Sequence, residues 1–245
     1  MKSLADRTAL VTGGSRGIGA AIARKLACEG ARVAITYQSS QDVAESLVAE
    51  LDGNQKHLAL KADATSPDAV SAAVDAVASE FGHIDILVNN AGIWREGPFY
   101  SAPDSVFEKI VNVNVRSVFA AMKAVVPHMK KGGRIINIGS INGEQSFKPG
   151  SALYTMTKFA VAGLTRGAAR DLAEHGITVN CIQPGPIDTD MNPSDADHSE
   201  AMKIATALGR YGTAEEVAEL VAFIAGSGSS YITGAMLNID GGFVA

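Results

Sequence analysis

Thr8-Ala-Leu-Val-Thr12-Gly13-Gly14-Ser15-Arg16-Gly17-Ile18-Gly19-Ala20 is a short apolar run that ends in a glycine-rich turn and passes straight into a helical pattern, Ala21-Ile-Ala-Arg-Lys-Leu-Ala27. Each glycine has a use in a strand-turn-helix unit of this kind. Gly13 permits the tight turn, Gly17 lets backbone approach a pyrophosphate, and Gly19 lets the helix pack close to the strand. The helix N-terminus, with Ser15 and Ile18 in the same loop, then offers free N–H groups and a positive dipole end to phosphates. The spacing is Gly-x-x-x-Gly-x-Gly, unlike the usual Gly-x-Gly-x-x-Gly, but its place between strand and helix is the context that supports a dinucleotide site.

Working outward, strand-like stretches at 32–37, 56–62, 84–89, 134–139, 177–183 and 235–239 alternate with helical stretches at 17–30, 41–51, 67–81 and beyond. Short β-rich runs separated by helices of that length require a parallel sheet with helices on both faces. The fold predicted is α/β, a single-domain, doubly wound Rossmann sheet of seven parallel strands over residues 1–245. The polar stretch 188–200 carries five acids and no Lys or Arg. It lies inside the alternation and reads as part of a substrate lid spanning about 186–207.

A chain of 245 residues with 47% hydrophobic content can bury a large core. The net charge of -5 offers no basic stripe to nucleic acid, and no apolar run of about 18 residues suggests a membrane span. The first seven residues lack the apolar core of a signal peptide, so a cytoplasmic location is expected. Cys28 and Cys181 are far apart and read as two buried, reduced thiols, with no metal site.

Two further stretches concern chemistry. At the end of the second strand the chain reads Tyr37-Gln38-Ser39-Ser40, with no carboxylate to hold a ribose 2′-hydroxyl or to repel a 2′-phosphate. Arg16 is placed to pair with such a phosphate and Ser39 and Ser40 to donate to it, which favours NADP(H) over NAD(H). In Ser151-Ala-Leu-Tyr154-Thr-Met-Thr-Lys158, a phenol and an ammonium stand four residues apart on one helical face. A phenol with an ordinary pKa near 10 becomes a useful acid-base group at neutral pH only beside a fixed cation, and Lys158 can be that cation. By itself this pair also fits a surface tyrosine beside a solvated lysine.

With the glycine loop and the Tyr154/Lys158 pair in view, the whole chain resembles the short-chain dehydrogenase/reductases, and within them the 3-oxoacyl-acyl-carrier-protein reductase-like branch. The motifs fall in order: Thr12 to Gly19, Asp63, Asn89-Asn90-Ala91-Gly92, Asn114, Ser140, Tyr154/Lys158, Pro184-Gly185 with Thr189, and Asp240-Gly-Gly. The resemblance implies that Tyr154 is the general acid and that Ser140 hydrogen-bonds the developing oxyanion. Lys158 would lower the pKa of Tyr154 and hold the nicotinamide ribose, and Asn114 would anchor a water that reprotonates Lys158. It also implies a cofactor lining of Asp63, Ala64, Asn90, Ala91, Gly92, Pro184, Gly185, Ile187 and Thr189 beside the glycine loop and Tyr37. A homotetramer built through the long helices and the C-terminal strand follows from the same resemblance.

The spacing from Ser140 to Tyr154 is longer than the family usually shows, and the extra residue falls in a loop that borders the substrate. Trp94, Ile141, Asn142, Gln145 and Met191 are expected around that substrate, a medium-sized ketone or its alcohol. An NADP(H)-dependent carbonyl reductase is the leading reading. The alternative is a nucleotide-signal binder, because Gln183-Pro-Gly-Pro-Ile-Asp-Thr-Asp and Gly139-Ser-Ile-Asn-Gly resemble a branch proposed to bind cyclic di-GMP.

Overall fold

The computed structural model describes residues 3–53 and 55–245. Met1 and Lys2, the first of the residues read as lacking a signal-peptide core, lie outside them. Seven strands are found among the described residues: β1 (Thr8–Val11), β2 (Arg32–Tyr37), β3 (Leu58–Lys61), β4 (Ile86–Asn89), β5 (Arg134–Ile138), β6 (Thr178–Pro184) and β7 (Met236–Ile239). They form one parallel sheet in the order β3-β2-β1-β4-β5-β6-β7. The order reverses between β1 and β4, and the crevice at the carboxyl ends of the strands there is where a doubly wound sheet binds its ligand.

The connecting helices are α1 (Gly17–Cys28), α2 (Gln41–Ala49), α3 (Pro67–Phe81), α4 (Asp104–Val111), α5 (Ser117–Val125), α6 (Ala152–Asp171), α7 (Ser199–Ala205) and α8 (Ala214–Ala225). α3 has the bounds read from the sequence because its caps are written there. Ser66 Oγ accepts the Ala69 N–H, Pro67 opens the first turn, and Gly82 ends it at φ +83°.

Strand residues alternate between two cores, as a period of two demands. Ala9, Val11, Ile35, Val88, Ile136 and Ile182 face α1, α2 and α8. Leu10, Ala34, Leu87, Ile135, Val179 and Cys181 face α3, α5 and α6. Leu10, Leu87 and Ile135 are fully buried neighbours across β1, β4 and β5, each worth about 1.5–3 kcal/mol of burial. These strands are therefore apolar on both faces, and they hold the crevice floor rigid.

One expectation is corrected here. Cys28 is exposed: the inward stripe of α1 is Ala21, Ile22, Ala23, Leu26 and Ala27, which leaves Cys28 on the solvent side one turn beyond Arg24. Cys181 is buried as expected, and burial pushes its thiol up to about 11. Next, the continuous helix Asp104–His128 runs for 25 residues and contains an 18-residue stretch of mean hydropathy 1.2, which matches a membrane span by length and composition only. Half of that stretch is buried within the domain, where Val118, Ala121, Met122 and Val125 pack in the second core. Finally, this helix contains a π-helical segment, Asn112–Arg116, that no sequence pattern announced. The widened turn carries Asn114, only 2% exposed, toward the crevice.

Candidate active site

The glycine turn is fastened to the strands on either side of β1. Gly13 N–H donates to Thr36 Oγ1 at 3.1 Å and Gly14 N–H to the Thr36 carbonyl at 3.0 Å. Just after β4, Asn90 Nδ2 donates to the carbonyls of Thr12 and Gly13 at 3.0 and 2.9 Å. Thr12 Oγ1 in turn accepts the N–H groups of Asn90 and Ala91. The two loops are thereby locked together, and Thr12 and Thr36 are the partners whose part no motif spelled out.

Side chains would not fit this turn. A Cβ on Gly19 would stand 2.4 Å from the Gly13 carbonyl oxygen, and one on Gly14 would meet Ile35 at 2.6 Å. Gly13 and Gly17 have φ of +62° and +51°, and a Cβ on Gly17 would face Thr189 at 3.5 Å. A backbone cradle that only glycine can form thus lies across from Thr189 and beside Ala91 and Gly92, at a helix N-terminus. That arrangement fits a dinucleotide pyrophosphate.

Around the cradle, Ser15 and Ile18 are half-buried, whereas Arg16, Ser39 and Ser40 are exposed. Arg16 makes no ion pair among the described residues. Tyr37, at the carboxyl end of β2, is 7% exposed and packs its ring with the first core. Asp63 accepts from Thr65 N–H, Thr65 Oγ1 and Gln38 Nε2 at 2.8, 2.8 and 3.1 Å, which hold its carboxyl below the usual range, Thr65 foremost. Ala64 lies next to it, half-buried.

The four residues expected to be catalytic come from three elements. Lys158 on α6 is 7% exposed, and its Nζ donates to the Ile138 carbonyl, at the end of β5, at 2.9 Å. The same ammonium stands 5.4 Å from the centroid of the Tyr154 ring. A Cβ on Gly92 would lie 4.0 Å from Lys158 Nζ and 3.6 Å from Asn114 Oδ1, so the loop after β4 completes the group. Asn114 Oδ1 accepts the Ile93 N–H, and its Nδ2 donates to the Ile93 carbonyl and to Thr157 Oγ1. Its carboxamide pins that loop to α6.

Ser140, 9% exposed, opens the 3-10 turn Ile141–Gly143, and its Oγ accepts the Asn142 N–H at 3.1 Å while donating to Asn142 Oδ1 at 3.4 Å. Asn142 also donates to Thr155 Oγ1.

At the mouth, Trp94 packs edge-on against Tyr154 with ring centroids 4.6 Å apart. Ile141 is buried, and Gln145 and Met191 are exposed. Pro184 and Ile187 are buried, and Gly185 N–H donates to the Ile239 carbonyl. The stretch 186–207 is pinned at its base by a bridge from Ile187 to Gly212. Within it, the Asp188 carboxylate accepts from Ser194 N–H and Oγ, and His198 meets Asn192 Oδ1 at 2.9 Å. Lys148 and Glu96, paired at 2.8 Å beside Trp94, were not read from the sequence, because 52 residues separate them. Two surface grooves flank the crevice, one of about 320 Å³ beside Ser15 between α1 and α2 and one of about 120 Å³ below Ile187. Tyr154 lines neither.

The arrangement can present a proton donor, a buried cation and a polar strand end to one carbonyl beside a phosphate cradle. Residues 13–244 match the family model for enoyl-(acyl carrier protein) reductase. The chain is 40% identical, over the full length of both proteins, to the cyclic-di-GMP-binding biofilm dispersal mediator protein of Escherichia coli. It is also 40% identical to the 3-oxoacyl-(acyl-carrier-protein) reductase FabG of Staphylococcus aureus, covering 96% of this chain and 97% of that one. A solved short-chain dehydrogenase from Burkholderia cenocepacia in complex with NADP superposes with a TM-score of 0.97 at 47% identity, covering 99% of this chain and 100% of that one. With the parallel sheet, the glycine cradle and the Tyr154/Lys158 pair in place, the chain belongs to the short-chain dehydrogenase/reductase family.

Proposed function

We propose that the protein is an NADP(H)-dependent carbonyl reductase, reversible as an alcohol dehydrogenase, acting on a medium-sized ketone or secondary alcohol. The observation that carries this reading is the buried Lys158 ammonium, fixed on the Ile138 carbonyl and set beside the Tyr154 ring next to Gly92 and Asn114. The glycine cradle, Ala91, Gly92, Ile187 and Thr189 would hold the cofactor, with Arg16, Ser39 and Ser40 at the 2′-phosphate. The NADP complex of the Burkholderia protein supports that choice.

When bound, NADPH supplies the hydride that reaches the carbonyl carbon. Tyr154 gives its proton to the carbonyl oxygen. The Ser140 hydroxyl turns from Asn142 Oδ1, a long 3.4 Å partner, to donate to the same oxygen as its charge grows. Lys158 has three N–H donors and spends one on Ile138, which leaves two for the ribose and for relaying a proton. Asn114, by pinning Ile93 to Thr157, keeps that lysine and Gly92 in register.

The test is loss of reduced-nicotinamide absorbance with NADPH, and separately NADH, against a panel of ketones, aldehydes and β-keto esters. Oxidation of NADPH with some of these is expected; consumption of neither coenzyme with any of them would sink the reading. A second reading, binding of a cyclic dinucleotide signal on this scaffold, is favoured by the full-length likeness to the E. coli dispersal mediator. Tight cyclic di-GMP binding without turnover would support it instead.

A further inference from the structure

Three contacts tie the loop after β4 to the loop before α6, and a fourth ties it to α6 itself. Glu96 pairs with Lys148 at 2.8 Å, and Gly97 N–H donates to the Gly150 carbonyl at 3.0 Å. The Lys148 ammonium stands 5.2 Å from the centroid of the Trp94 ring, and Trp94 meets Tyr154 edge-on. Close approach of the loops depends on glycine: Gly97 and Gly150 have φ of +146° and +84°, and a Cβ on Gly150 would crowd Glu96 Cγ and Gly97 N at 3.2 Å. The second loop is braced from behind, where Phe147 packs edge-on against Phe243 of the C-terminal segment.

Cation, indole and phenol therefore form one stack that crosses the mouth of the crevice. Lys148 has a carboxylate on one side and the indole on the other, and the same Glu96 carboxylate also accepts from the Trp94 indole, so the pair holds the ring from two sides. We propose that the Glu96–Lys148 pair is a latch whose purpose is to hold Trp94 against Tyr154, making Trp94 the positioning residue for the phenol and the wall that limits substrate bulk. The latch rests on the reductase reading for its effect on turnover, but its geometry can be tested without turnover.

Trp94 is the single tryptophan of the chain, so emission excited at wavelengths that tyrosine does not absorb reports this contact alone. Lys148→Met and Glu96→Gln each remove one side of the latch. An exposed ion pair and an exposed cation–π contact are each modest, so the population of the packed indole should shift about two- to fivefold. Quenching of Trp94 by acrylamide should rise accordingly in both variants, with NADPH affinity unchanged because neither residue lines the glycine cradle. In turnover, kcat should fall by a similar factor while the KM for bulky ketones falls relative to that for small ones. The charge-swapped double variant, Glu96→Lys with Lys148→Glu, should restore the packed indole in part by re-forming the pair. Unchanged quenching in both single variants would overturn the latch, as would a swapped variant no better than the singles. If the quenching changes appear while no ketone is ever reduced, the latch stands and the reductase reading fails.

Discussion

A carbonyl oxygen whose carbon accepts hydride must be given a proton, and on the proposed reductase reading the phenol of Tyr154, beside a fixed cation, is the donor. Tyr154→Phe keeps the ring against Trp94 and removes only that proton. Its kcat should fall about 10²–10⁴-fold while NADPH still binds, measured by turnover and by quenching of Trp94. Arg16 is exposed with no ion pair among the described residues, so its guanidinium is available to a 2′-phosphate. A charge-assisted hydrogen bond of about 1.5–3 kcal/mol implies that Arg16→Ala raises the KM for NADPH about tenfold or more and leaves that for NADH nearly unchanged. An equal effect on both coenzymes would move the phosphate contact elsewhere. Single residues were legible here because Gly19, Tyr154 and Lys158 sit in contiguous motifs. Only the packing shows that the ring of Tyr37 turns into the core while Ser39 and Ser40, two and three residues on, are exposed.

At the scale of elements, the base of the 186–207 stretch hangs on the start of α8. Thr213 Oγ1 accepts the Glu216 N–H while the Glu216 carboxylate accepts the Thr213 N–H, and the same carboxylate takes two bonds from Arg210. Gly212, the residue before this cap, carries the bridge to Ile187. Thr213→Ala should cost about 0.5–2 kcal/mol and lower Tm by roughly 2–4 °C per kcal/mol. The hydrogen bonds from Arg210, and then the Thr213 N–H, hold the Glu216 carboxyl down at about 2, against 4.5 for a free glutamate. A depressed carboxylate stabilises the fold above its unfolded pKa and loses that contribution as pH falls through its folded pKa. The Tm deficit of Glu216→Gln should therefore be full at pH 6 and shrink as pH falls from 4.5 toward 2. A deficit independent of pH would mean that the cap, not the charge, carries the contribution. The capping box could have been read from Thr213-Ala-Glu-Glu216, whereas the π-helical segment at Asn112–Arg116 could not, since the partners that hold Asn114 there, Ile93 and Thr157, lie on other elements.

Over the whole molecule, several large apolar side chains remain exposed, and five of them belong to two groups. Phe119, Met156 and Phe159 lie on α5 and α6, and Phe223 and Tyr231 lie on α8 and before the C-terminal strand. Gly163 and Gly167 extend the α6 stripe, and a Cβ on either would meet nothing within 4 Å in the single chain. A face of this kind on two long helices fits the proposed homotetramer. Light scattering at micromolar concentration should give about four times the chain mass, and a monomeric mass would rule the assembly out. Gly163→Ala offers a second reading of the same face. In a monomer it should stabilise the helix by about 1 kcal/mol, whereas between packed helices the added methyl should weaken the assembly.

The linear sequence determined the seven-stranded alternation, the glycine turn and the Tyr154/Lys158 pair, because each depends on residues within one or two turns of one another, where periodicity and steric permission act locally. Tertiary structure alone decided that Thr12, Thr36 and Asn90 lock the phosphate loop, and that Asn114 reaches both Ile93 and Thr157. It also decided that Glu96 and Lys148 close over Trp94. These partners lie tens of residues apart and are brought together by parallel strands whose carboxyl ends gather at one edge of the sheet. No spacing along the chain encodes which of the side chains delivered there will touch.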